Sequence, residues 1–168
     1  MAVELKLQKR IFRVQQVLGA DKSQCVVESV LDVPDDQPDL DKVLRVDVKV
    51  KPFARIRTIV DKVIVEGCLE VDTVYVADTK EDDQPVHCME HTMNFCDFID
   101  IEGVEECMDA DVHVEIEDVN WDIILPCKLR VVVVLEIKAK VYDSRPIEIV
   151  TGAELIQQPE ESAGPITG

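Results

Sequence analysis

Residues 63–75 read Val-Ile-Val-Glu-Gly-Cys-Leu-Glu-Val-Asp-Thr-Val-Tyr, and the step of two in this stretch decides the fold class. One face carries Val63, Val65, Gly67, Leu69, Val71, Thr73 and Tyr75; the opposite face carries Glu66, Cys68, Glu70 and Asp72. A period of two puts alternate side chains on opposite sides of a pleated backbone, so the stretch predicts a half-buried β-strand. The same alternation recurs on either side. Val3, Leu5 and Leu7 alternate with Glu4 and Lys6, and Val112, Val114 and Ile116 alternate with His113, Glu115 and Glu117. Leu129, Val131, Val133, Leu135, Ile137, Ala139 and Val141 form one more face, backed by Arg130, Val132, Val134, Glu136, Lys138 and Lys140. The centre of that segment is apolar on both sides. It is expected to be a central strand covered on both faces, or to offer Val132 and Val134 to a partner.

Turn signals separate these segments. Gly19-Ala20-Asp21-Lys22 is expected to divide the first two strands, and Pro34-Asp35-Asp36-Gln37-Pro38 breaks the chain after Val33. Pro38-Asp39-Leu40 reads as the opening of one helical turn running to Val43. Residues 78–85 form an acidic loop ending in Pro85, and Glu102-Gly103 marks a turn. Residues 14–33, 56–71 and 129–142 read as long valine-rich strands, which repeated hairpins explain as well as duplication does. The expectation is an all-β chain, an antiparallel β-sandwich or jelly-roll-like barrel with at most one short helix. Residues 1–156 are expected to form a single β domain, and residues 157–168, polar with Pro159, Gly164, Pro165 and Gly168, a flexible tail.

Composition narrows the function. The chain has 168 residues, enough to bury a core without disulfides or metals. Apolar residues make up 46% and aromatics only 4%, so the core must be built from Val, Ile and Leu. The net charge is −17, which repels phosphate backbones and anionic lipid surfaces and disfavours nucleic acid and membranes as partners. Residues 1–20 hold Lys6, Lys9, Arg10 and Arg13 against Glu4, a local +3 that leaves −20 of the −17 total on the remainder. A basic end on an acidic body favours head-to-tail contact between copies; a solvated edge strand is the plainer reading. The opening MAVELKLQKRIFRV has no continuous apolar segment of the kind a signal peptide needs, and no run of about 18 apolar residues occurs. Synthesis in the cytoplasm is expected.

Four stretches carry a resemblance. Residues 38–50 (PDLDKVLRVDVKV) precede residues 61–78 (DKVIVEGCLEVDTVYVAD), residues 84–119 (QPVHCMEHTMNFCDFIDIEGVEECMDADVHVEIEDV) and residues 125–137 (LPCKLRVVVVLEI). In order and spacing this resembles the SPOCS domain, a domain of unknown function in spore-coat and spore-envelope assembly proteins of endospore-forming clostridia and their relatives. The resemblance covers about residues 35–140 and rests on the GxL step at Gly67, the YVA strand end at Tyr75, the PVH segment at Pro85 and the NFxxFID segment at Asn94. It implies a role in spore assembly and supplies no catalytic residues. Family members often carry a LysM module that binds peptidoglycan; the 168 residues contain none. The chain also departs from the family in its six cysteines.

Those cysteines are Cys25, Cys68, Cys88, Cys96, Cys107 and Cys127, with no CxxC pair, so neither a zinc knuckle nor a thioredoxin-type site is indicated. Cys25 shares a strand face with Val27, Leu31 and Val33 and reads as core. Cys68 lies with Glu66, Glu70 and Asp72 on the wet face, Cys107 in an acidic turn, and Cys127 beside Pro126 at a strand start. These three are candidates for cross-links between subunits after release from a reducing cytoplasm; six free thiols are the alternative. His87-Cys88-x-x-His91-x4-Cys96 is the best metal candidate, but on a strand His87 and His91 share one face while Cys88 points to the other, so surface histidines are the default. No GxSxG, Walker loop, GxGxxG or HExxH occurs, so a non-enzymatic chain without cofactor is expected. Trp121 and Tyr75 read as packing residues rather than a carbohydrate platform. The expected role is a structural, self-associating protein of the spore coat or a spore-surface fibre or tube, with its own copies and other coat proteins as partners. Its candidate assembly surface is Val132, Val134, Lys9, Arg10 and Arg13. The alternative is a monomeric adaptor for another coat protein or a cell-wall glycan.

Overall fold

The structure, a computed structural model, describes residues 3–52, 55–79, 85–157 and 164. All regular structure among these residues is strand. The order is β1 Val3–Asp32, β2 Leu40–Val50, β3 Arg55–Ile59, β4 Lys62–Ala77, β5 Val86–Asp100, β6 Asp109–Leu125 and β7 Lys128–Gln157. The chain divides into two units, Val17–Asp143 and a second made of Met1–Gln16 with Ser144–Gly168.

The unit Val17–Asp143 is an antiparallel β-sandwich. One layer has the order β1-β7-β6; in the other, β4 pairs with β5 along one side and with β2 and β3 in turn along the other. The ion pairs Lys128–Asp32 and Lys22–Glu136 run in opposite senses along β1 and β7, so that pair is antiparallel too. β4 has the alternation its sequence dictates: Val63, Val65, Leu69, Val71, Thr73 and Tyr75 are fully buried, while Ile64, Glu66, Cys68, Glu70 and Asp72 are half-buried. The inward face of β7, from Leu129 to Val141, belongs to the same core. Each fully buried Val, Leu or Ile contributes about 1.5–3 kcal/mol. At one margin of the sandwich Ser23 Oγ donates to Asp97 Oδ2 at 2.8 Å, and at the other Thr58 Oγ1 donates to the Met108 carbonyl at 3.1 Å.

The second unit is a two-stranded ribbon of the remaining parts of β1 and β7. Lys9 Nζ lies 3.3 Å from Glu148 Oε1, and Thr151 Oγ1 donates to the Gln8 carbonyl at 3.4 Å. Pro146 sits inside β7 without breaking it. β6 begins opposite Tyr142, so Pro146 lies beyond the β6–β7 ladder, where a proline removes no bond to β6.

Three local expectations need correction. Gly19-Ala20-Asp21-Lys22 is not a turn: β1 runs straight through it. Gly19 serves a close approach instead, because a Cβ there would lie 2.8 Å from Ile101 Cγ2. The helical turn from Pro38 to Val43 is absent. Leu40 is buried opposite Ala77, and its N–H donates to the Pro126 carbonyl at 2.7 Å, a sheet contact that outweighs local helix propensity. Residues 56–71 are not one strand but a tight hairpin turning at Val60 and Asp61. Asp61 adopts φ 58°, held by its carboxylate accepting from Gly103 N–H at 2.8 Å and its own N–H donating to the Val104 carbonyl at 2.9 Å. The breaks at Pro34–Pro38 and Glu102-Gly103 lie where the sequence puts them. Of the acidic loop at 78–85, residues 80–84 lie outside the described residues, as does the tail apart from Gln157 and Gly164.

Gly67 faces Phe95 across the β4–β5 ladder, and a Cβ on it would lie 2.5 Å from Phe95 Cζ. Gly67→Ala is expected to displace that buried ring and cost about 1–3 kcal/mol, measured by urea unfolding. On the outward face of β7, Glu136 accepts from Lys22 Nζ at 3.0 Å and pairs with Lys138 Nζ at 2.9 Å. These lysines hold its carboxyl below the ordinary 4.5, at about 2. A lowered folded-state value gives stability that is present above pH 4.5 and is lost as the pH falls toward 2. Glu136→Gln is therefore expected to be less stable than the native chain at pH 7, with the gap closing between pH 4.5 and 2 in unfolding titrations.

Candidate functional site

The outward faces carry the features that sequence alone singles out. Val132 and Val134 lie half-buried on the outward face of β7, opposite Asn120 and Asp118 of β6. Arg130 bounds them on one side, ion-paired to Asp122 and lying 3.8 Å from Glu28; Glu136 bounds them on the other. Val26, on the same face of β1 as Glu28 and Lys22, is 65% exposed. The result is a small apolar patch between two salt-bridge clusters. Lys9, Arg10 and Arg13 are exposed on the ribbon, Lys9 in its pair with Glu148.

The ribbon adds what the sequence reading did not find. Val3, Leu5, Leu7, Ile11 and Phe12 of β1 are 44–75% exposed, as are Ile149, Val150, Leu155 and Ile156 of β7 at 39–72%. The alternation of Val3, Leu5 and Leu7 was readable; the lack of cover over the ribbon was not, because it follows from β7 continuing past the β6 ladder. A second exposed group lies at the end of edge strand β6: Trp121, Ile123, Ile124 and Leu125. A β-bulge between Ile116 and Asp118 shifts the inward parity of β6 from even to odd residues, which places Trp121 opposite Val131 and Ile123 opposite Leu129.

All six thiols are free. Cys68 is half-buried on the outward face of β4 and its thiol donates to Asn94 Oδ1 at 3.2 Å. Cys107 is exposed in the turn before β6 at φ 65°, and Cys127 is exposed in the β6–β7 hairpin, where its carbonyl accepts from Val33 N–H at 3.0 Å. Cys88 and Cys96 are exposed on β5, and Cys96 sits opposite Glu66, one pair along from Cys68. Cys25 is half-buried behind Val27; burial first, then the Asp97 and Cys96 charges, push its thiol up.

The histidine–cysteine cluster stays apart. His87 stacks on Tyr75, with ring centroids 5.8 Å apart, and His91 Nε2 donates to the Asp32 carbonyl at 2.7 Å. Cys88 and Cys96 are on the other face of β5. Among the described residues no group of three His, Cys, Asp or Glu side chains converges. Tyr75 is fully buried and donates to the Pro38 carbonyl at 2.8 Å, whereas Trp121 is on the opposite sheet, so the two aromatics form no common platform. A groove of about 580 Å³ on the outward face of the β1-β7-β6 sheet is lined by Lys22, Asp111, His113, Lys138, Lys140 and Tyr142. Several of its polar groups are engaged: Lys138 with Glu115 and Glu136, His113 with Glu115, Lys22 with Glu136, and Tyr142 with Asp111.

Brief alkylation of the folded protein at pH 8, read by mass spectrometry, is expected to modify the exposed Cys88, Cys96, Cys107 and Cys127 before Cys25, whose burial limits access and disfavours its thiolate. Equal rates at all six would contradict the burial described.

No curated protein and no solved structure matches the chain. One family model, described as SipL, SPOCS domain, matches residues 39–124. That span opens just before β2 and closes near the end of β6, so it takes in the whole β4-centred sheet and the edge strand of the other. A match over half of the sequence, on the segments that build the sandwich, makes this chain a member of the SPOCS domain family.

Proposed function

We propose that the chain is a non-enzymatic structural subunit that associates with its own copies in a larger assembly, at the spore coat or on the spore surface. The observation that carries this reading is the ribbon. An isolated two-stranded ribbon is marginal in water, and among the described residues this one carries apolar side chains from Val3 to Phe12 and from Ile149 to Ile156 exposed to solvent. Apolar surface of this kind marks a site of protein association. Family membership supports the spore setting, because the proteins in which the domain occurs, as the sequence resemblance implies, are spore-assembly proteins. Cys68, Cys107 and Cys127 are proposed to join subunits by disulfides once the assembly is exposed to oxidant. Other coat proteins are secondary partners in this reading.

Negative-stain electron microscopy and size-exclusion chromatography of the purified chain test it. Regular polymers or large oligomers are expected. Native assemblies are expected to run as a ladder on non-reducing gels that collapses with thiol. A chain that stays monomeric across salt and concentration would refute self-association and favour the adaptor alternative.

A further inference from the structure

Resting on the self-association reading, we propose that copies join head to tail, residues 3–13 of one ribbon adding as a strand to the open edge of β6 in the next copy, along residues 118–125. Among the described residues β6 forms ladder bonds only with β7; β2 and β3 approach its other side but pair with β4, so along residues 118–125 that side of β6 has no ladder partner. Beside that edge stand Trp121, Ile123, Ile124 and Leu125, 39–49% exposed. This is the kind of aromatic and aliphatic cluster that anchors interfaces.

Charge selects the donor. β6 contains Asp109, Asp111, Glu115, Glu117, Asp118 and Asp122 and no lysine or arginine. Residues 3–13 contain Lys6, Lys9, Arg10 and Arg13 against Glu4, interleaved with Leu5, Leu7, Ile11 and Phe12. Apolar residues on each side meet apolar residues, and base meets acid. Pairing two β6 edges would bring like charges together, as would pairing two ribbons through their basic strands; such juxtaposition is costly. β5 is the competing edge, but it holds half as many acidic residues, Glu90, Asp97 and Asp100, and its exposed apolar residues Val86 and Phe98 are far apart. Donor and acceptor are different patches of one chain, so the contact is heterologous and propagates into an open polymer or closes as a ring.

The test uses the full chain in sedimentation velocity at low and high salt. Lys6→Glu/Lys9→Glu/Arg10→Glu/Arg13→Glu reverses the donor; Asp118→Lys/Asp122→Lys reverses the acceptor. Each is expected to weaken association by roughly tenfold or more, the size of effect that facing like charges produce. The chain carrying both sets is expected to regain it. Ile124→Glu touches none of the acceptor ion pairs and is expected to weaken association as well, with circular dichroism confirming that each variant folds. Association of the native chain is expected to weaken as salt is raised. If both reversals leave association unchanged, or the combined chain fails to regain it, this contact is wrong while self-association stands. If the native chain itself sediments only as a monomer, the self-association reading falls and this contact falls with it.

Discussion

The inward face of β7 holds the sandwich together. Leu129, Val131, Val133, Leu135, Ile137, Ala139 and Val141 are all within 3% of complete burial and share one core with Val63, Val65, Leu69, Val71 and Tyr75 of β4. Because side chains alternate with a period of two, this burial fixes the register of both sheets. Slipping β7 by one residue would drive Arg130, Glu136, Lys138 and Lys140 into the core. With so few aromatics, the packing depends on small β-branched side chains fitting closely, and Phe95 finds room only because Gly67 has no side chain beneath it.

The same strand serves a second purpose beyond Tyr142. With β6 no longer beside it, β7 continues with β1 as a ribbon whose apolar residues meet water rather than a core. The same two strands thus contribute to a buried core in one part of the chain and to exposed apolar surface in another. The outward face of the body is treated differently: its valines are few, and they are hemmed by Arg130, Glu136 and their ion-pair partners. Charged neighbours of this kind keep a sheet face from associating indiscriminately.

Much of this was legible in the sequence. The period of two in residues 63–75 and 129–141 gave the strands, their inward faces and the all-β class, and the four quoted stretches gave the family. What failed were signals that tertiary contacts override. Gly19 looks like a turn residue but marks where a strand passes close to Ile101. Pro38-Asp39-Leu40 looks like a helix start but is claimed by β4 and the Pro126 carbonyl. For the candidate surface, Val132, Val134 and the basic residues were readable as types in a pattern. The exposure of Trp121 to Leu125 was not, because it depends on the bulge at Glu117 and on which strand occupies the sheet edge.

β1 and β7 are each 30 residues long, and they pair although residues 33–127 lie between them. During synthesis, β1 leaves the ribosome early and must wait, without its partner, until β7 emerges. Closing so long a loop carries an entropic cost that local contacts do not offset, so folding of the β1-β7-β6 layer is late and slow. In that interval the basic, apolar first part of β1 is available to chaperones or to neighbouring nascent chains, which makes the rate of translation a determinant of how cleanly the chain folds.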